Sequence, residues 1–263
     1  MTAGSLIEGA LRRDRFLVVS CLLLAVVLSW AWLLAGAGMM REMGDMLMPM
    51  SGGPWTAGHA LLVLIMWAVM MAAMMLPSAA PMVLFYTAIA RRRSERGESS
   101  ASPAASGAFA FGYLAVWAAF SLAATALQFG LERAALLSPM MESTSIALAG
   151  AVLIAAGIYQ WTPLKQACLR YCRSPLDFVL TQWRPGARGA FLMGLRHGAV
   201  CVGCCWLLML LLFVGGVMNF AWIAGIALFV LVEKLGPAGH WIGRGAGALL
   251  MAWGCATLLA ATT

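Results

Sequence analysis

The sequence predicts an all-α, polytopic transmembrane helical bundle of about seven spans, with its N-terminus in the cytoplasm. Three observations predict it. Hydrophobic residues fill 63% of the 263 positions and charged residues only 10%, where a soluble domain carries roughly 25% charged residues. Uncharged runs long enough to cross a bilayer recur along the chain. The basic residues cluster in alternate connections between those runs.

Taken in order, Arg12, Arg13 and Arg15 precede span one, about 16–37. Phe16 to Met40 holds 25 uncharged residues, too many for the core of a cleavable signal and enough to span. Met39, Met40, Met43, Met46, Met48 and Met50 follow, and Ser51-Gly52-Gly53-Pro54 reads as a loop. Span two, about 59–90, is expected to be interrupted by Pro77 and Pro81. Arg91, Arg92, Arg93 and Arg96 open a polar loop that reaches Gly107. Spans three and four take about 107–130 and 144–162. Segment 163–189, with Lys165, Arg170, Arg173, Arg184, Arg188 and three prolines, predicts a cytoplasmic structured loop or interfacial helix. Spans five and six, about 190–214 and 218–235, turn at Gly215-Gly216, and span seven takes about 241–261. Residues 1–263 are expected to form one integral membrane domain, and no internal repeat is visible.

An N-in orientation puts fifteen of the seventeen Lys and Arg residues on the cytoplasmic side, leaving Arg41 and Arg133 outside. The net charge of +7 then reads as topology and contact with the lipid bilayer's anionic head groups. It does not imply a nucleic-acid surface. There is no phosphate-binding G-x-x-x-x-G-K-[ST] loop, no H-E-x-x-H, and no Ser/His/Asp arrangement. Catalysis is left open, with binding favoured.

The chemistry concentrates in sulfur. His197, Cys201 and Cys205 recur at i, i+4, i+8, Cys204 is i+3 from Cys201, and Met209 continues that helical face. Soft sulfur ligands in such a group favour Cu(I) or another soft metal, although cysteine is also an ordinary small hydrophobe of buried helices. In span two, Met66, Met70 and Met74 form one stripe and Met71 and Met75 a second, either packing or the wall of a metal path. The methionines of 39–50 offer thioethers that do not form disulfides, or dip into lipid. Cys168 and Cys172 are i, i+4 beside Lys165, Arg170 and Arg173, as a reactive pair or as incidental residues of a basic helix.

Further polar groups in or beside spans are Gln128, Tyr159, Gln160, Asn219, Glu233 and Arg196. Arg196 and Glu233 are expected either to pair or to snorkel to the interface. Cys21 and Cys255 are expected to pack.

Three blocks carry a resemblance. Trp67, Met70, Ala73, Met74, Met75 and Pro77 match W-x-x-M-x-x-A-M-M-x-P. Tyr159, Gln160, Pro163, Leu164, Lys165, Cys168, Leu169, Cys172, Arg173 and Pro175 match Y-Q-x-x-P-L-K-x-x-C-L-x-x-C-R-x-P. Gly198, Cys201, Gly203, Cys204, Cys205, Trp206 and Met209, then Gly216, Met218, Asn219, Glu233 and Lys234, match G-x-x-C-x-G-C-C-W-x-x-M, G-x-M-N and E-K. The chain thus resembles a bacterial family of predicted metal-binding integral membrane proteins, a domain of unknown function sometimes labelled copper chaperone-like. The resemblance implies a multi-pass protein of the bacterial inner membrane that binds a metal ion.

The expected function is sequestration, trafficking or transport of a soft metal, with copper as Cu(I) suspected and a soluble donor or acceptor protein as possible partner. Cys201, Cys204 and Cys205 are the expected core, with His197 or Met209 nearby. Met70, Met71, Met74 and Met75 line the approach, and Cys168 and Cys172 exchange metal. The alternative is a membrane thiol–disulfide oxidoreductase using the same cysteines.

Overall fold

The computed structural model describes residues 3–37, 40–43, 46–49, 55–96, 103–138 and 141–260, with side chains described over 16–37, 55–96, 104–138 and 141–260. Helix α1 (Ala3–Leu34) leads into an antiparallel hairpin, β1 (Met40–Met43) with β2 (Met46–Pro49). The helices α2 (Ala57–Glu95), α3 (Pro103–Arg133), α4 (Ile146–Tyr159), α5 (Pro163–Arg173) and α6 (Pro175–Gln182) follow. Then come α7 (Gly186–Leu210), the short α8 (Leu212–Gly215), α9 (Phe220–Leu235) and α10 (Gly239–Ala260). Segment 163–189 is therefore mostly helical. The turn expected at Gly215-Gly216 lies between α8 and α9, with Gly216 at φ +90°, a backbone region that glycine enters without a steric penalty.

Among the described residues five helices are long and apolar enough to cross a membrane: α1, α2, α3, the α7–α8 run and α10. The chain is thus built as a multi-pass, membrane-compatible helical bundle. Helices α4 and α5 make a bent pair at 64° that would count as a sixth crossing if taken as one span. Helix α9, the remaining expected span, is 16 residues long.

Small residues set the tightest helix contacts, as expected where no water drives helices together. A side chain at Gly112 or Gly194 would collide with the facing backbone of α7 or α3, at Phe191 and Phe109 respectively. The α4–α10 pair repeats the device, with Gly157 against Gly247 and Gly150 against Gly254. These contacts bring backbones close and leave larger side chains to meet elsewhere.

Pro77 and Pro81 do not interrupt α2, which runs unbroken through both. The expected break is corrected by its surroundings. Two residues before Pro77, the Met75 carbonyl accepts the Tyr113 hydroxyl at 3.2 Å and the Ser78 hydroxyl at 2.9 Å. Proline is tolerated in a membrane helix where neighbouring helices and hydroxyl side chains give the nearby backbone such polar contacts.

At 39 residues α2 is about 58 Å long, nearly twice the ~30 Å hydrocarbon layer. The excess builds a second core. The larger core holds the α2 methionines, the α7 cysteines, Trp67, Trp117 and the inner face of α9. The smaller one packs Tyr86, Phe109, Phe178, Val179 and Met193 where α2, α3, α6 and α7 extend together.

Candidate metal site

Helix α7 buries Cys201, Cys204 and Cys205 almost completely. The Cys204 and Cys205 thiols both turn back to donate to the Cys201 carbonyl, each at 3.0 Å. The i, i+3, i+4 spacing thus gathers three sulfurs around one turn of helix, as the helical period requires.

Two other helices bring sulfur to that turn. Thr162 caps α5, accepting from the Lys165 backbone amide, and Pro163 opens the helix. This start places Cys172 with its sulfur 4.0 Å from that of Cys204. Cys168 lies against α7 where Gly203 has no side chain; a Cβ there would stand 2.9 Å from the Cys168 sulfur. The Tyr159 hydroxyl also donates to the Gly203 carbonyl. From α2, the Met75 thioether comes within 4.0 Å of the Cys205 thiol. Two sulfurs on one ion, each about 2.3 Å from it, stand at most about 4.6 Å apart. Both inter-helix sulfur pairs fall inside that limit. Among the described residues no group of three or more His, Cys, Asp or Glu side chains is gathered so as to hold a metal ion, so the thiols meet pairwise.

A cation completes the cluster. Lys234 of α9 is buried and donates to the Cys201 sulfur at 2.9 Å and to the Ser78 hydroxyl at 3.2 Å. The Tyr113 hydroxyl lies 3.2 Å from the same sulfur. Cys201 is therefore embraced by an ammonium and a phenol from two other helices. A buried ammonium needs an anionic or strongly polar partner, and here the partner it meets is a sulfur.

A second buried charge fixes α5 in place. Lys165 and Glu233 form a 2.9 Å ion pair with both side chains essentially unexposed. Arg173 adds bonds to the carbonyls of Glu233, Gly236 and Pro237. The expected Arg196–Glu233 pairing is thereby corrected: Lys165 reaches Glu233 from α5, while Arg196 donates to Gln182 near the other end of α7.

The remaining expected residues divide. His197 stands one turn before Cys201, stacked on Tyr113 at 5.5 Å and Phe109 at 6.1 Å with its Nδ1 unpartnered. Met70, Met71 and Met74 are buried in the larger core, as is Met209; Met75 brings its sulfur to 4.0 Å from the Cys205 thiol. Gln160 is buried with neither amide atom bonded. Asn219 caps α9 by accepting from the Trp222 amide. Cys21 and Cys255 are exposed on α1 and α10 rather than packed inside, because both helices are mostly uncovered. The methionine side chains of 39–50 lie outside the described residues; their backbone pairs Met40 with Pro49 and Met43 with Met46.

Sequence reasoning missed Tyr113 and Ser78 and gave Lys234 no role at the sulfurs. Lys234 had a signal: a lysine next to a glutamate at the end of an apolar run must find partners inside the bundle. Tyr113 had none, since a tyrosine in a span is unremarkable until the α3–α7 approach is known.

Comparison with known proteins supplies one match. No curated protein and no solved structure matches the chain. Residues 64–257, which contain every sulfur of the cluster, match the family model described as PpoB2, copper chaperone. The chain belongs to the PpoB2 copper chaperone family.

Proposed function

We propose that this chain carries Cu(I) as cargo on the thiols of Cys201, Cys204, Cys205 and Cys172, assisted by the Met75 thioether. The observation that carries the reading is the convergence of sulfur from α2, α5 and α7 at inter-helix spacings of 4.0 Å. Thiolate and thioether donors suit Cu(I), and a set with no hard oxygen ligand disfavours magnesium or calcium. Pairwise spacing suits cargo that must leave, since each step needs only two sulfurs to exchange. Lys234 would offset the negative charge that several thiolates keep after binding one monovalent ion.

The half-buried α5 thiols, Cys168 and Cys172, are the entrance, and the α7 thiols are the interior. The α2 stripe from Met75 back to Met66 runs about 13 Å along the helix axis, toward the methionine hairpin that precedes α2. With seven spans, the N-terminus inside and the inner membrane as location, the α5 end faces the cytoplasm. A soluble protein there would give or take the ion.

The test is the copper content of purified protein after Cu(I) loading. Wild type is expected to retain copper and Cys201→Ser/Cys204→Ser to lose it; equal copper in both would overturn the reading. The 4.0 Å Cys172–Cys204 spacing also favours a second reading, thiol–disulfide exchange between those two residues. A shift in alkylation of Cys172 and Cys204 between oxidised and reduced membranes, with copper content unchanged, would select it.

A further inference from the structure

On the side of α5 away from the thiols, a cavity of about 380 Å³ opens between α5 and α10, lined by Gln166, Leu169, Arg170, Arg173, His240 and Arg244. The lining carries three guanidiniums and an imidazole and no carboxylate. The neighbouring cavity, of about 600 Å³, includes Asp177 beside Arg170, and a smaller one carries two arginines without an acid, so what sets this cavity apart is three guanidiniums and an imidazole from two helices. Glu233 of α9 is paired with Lys165 through one carboxylate oxygen, while its other oxygen is buried against Gly243 of α10; it is not among the lining residues.

The cationic groups are held in place. Arg173 is tied to three carbonyls of the α9–α10 connection. Arg244 lies over the rings of Trp161 and Trp241, 5.7 and 5.4 Å from their centroids. Its Nε is buried without a hydrogen-bond partner, so the guanidinium is not committed to a carboxylate there. Trp161 and Trp241 are both exposed, as aromatic residues are at the level of lipid head groups.

We propose that this cavity binds a phosphate-type anion, either the phosphodiester of an anionic phospholipid or free phosphate. Planar guanidiniums present paired donors that match phosphate oxygens, and Arg170, Arg173 and Arg244 all line the cavity. Bound there, the anion bridges Arg170 and Arg173 of α5 to His240 and Arg244 of α10. It would thus fix the helix that carries Cys168 and Cys172. The binding itself does not depend on the copper reading.

The experiment uses the full chain in detergent, followed by native mass spectrometry with phosphatidylglycerol or phosphatidylcholine of matched acyl chains, and separately a titration with inorganic phosphate. Wild type is expected to prefer phosphatidylglycerol by about tenfold or more. Arg170→Gln and His240→Gln, both at exposed positions, are expected to weaken that preference, and Arg244→Gln to abolish it. Arg188→Gln, exposed on α7 and outside the cavity, is expected to leave it unchanged. Phosphate binding with the same variant pattern, but without lipid preference, assigns the site to the free anion. No preference and no phosphate binding in wild type overturns the proposal, as does an equal loss in Arg188→Gln, which would mean diffuse surface charge.

Discussion

The molecule holds two sulfur populations that look alike on paper and differ in surroundings. The thioethers of α2 and the thiols of α7 both recur at helical spacing on apolar helices, and both are buried. Yet Met66, Met70, Met71 and Met74 sit among core side chains, whereas Cys201 meets an ammonium and a phenol within 3.2 Å. Spacing alone marks which residues share a face. Charge at depth marks which face does chemistry, because a buried lysine is retained only where something balances it.

The sharpest way to break this contrast is to remove the thiols. Cys201→Ser/Cys204→Ser is expected to abolish retained copper while leaving the helical content by circular dichroism unchanged. Next in size is the α5 anchor. Lys165→Met leaves Glu233 buried and unpaired and is expected to lower unfolding stability by about 3–5 kcal/mol. Lys165→Met/Glu233→Gln should recover most of that loss, as measured by denaturant unfolding in detergent. Because α5 carries Cys172, the single variant should also release copper faster, and the thioethers of α2 should not compensate.

Lys234→Gln tests the charge argument directly. It keeps a donor near Ser78 and removes the ammonium from Cys201, so copper affinity is expected to fall about 10–100-fold, the usual cost of losing a partner that orients or balances a metal ligand. Competition with a Cu(I) chelator reads it. An unchanged affinity would mean that Lys234 serves packing, and that thiols and thioethers differ less than their surroundings suggest.

Much of this arrangement was legible in the sequence. From α2 onward the long helices overlap the expected apolar runs, whereas α1 begins at Ala3 and not near 16; uncharged runs of that length have few alternatives to helix in a membrane protein. The grouping of Cys201, Cys204 and Cys205 followed from helical period. What was not legible is how helices distant in sequence meet. Which acid Lys165 would find, and which cation Glu233, depends on the 64° bend between α4 and α5, and that bend is set by the Thr162-Pro163 start of α5 rather than by hydropathy. The fate of Pro77 and Pro81 was equally hidden, because the Tyr113 hydroxyl that joins Ser78 at the Met75 carbonyl becomes a neighbour only once α3 is packed.

The finest division runs within the thioethers themselves. Met75 lies 4.0 Å from the Cys205 sulfur, while Met70, Met71 and Met74 are buried in the same core as the three α7 cysteines. Met75→Leu keeps the volume and removes the sulfur, so it should cost little stability, under about 1.5 kcal/mol, while lowering copper affinity by up to about tenfold. Met70→Leu and Met71→Leu carry the same small packing cost and are expected to leave equilibrium affinity where it is. If these two instead slow the transfer of copper with affinity intact, the stripe acts as a path rather than as packing. Stopped-flow transfer to a chelator of known affinity separates the outcomes, since packing predicts equal rates in wild type and both variants. A path requires sulfur at each stage, so its loss at Met70 or Met71 would be felt in rate even where equilibrium affinity is intact.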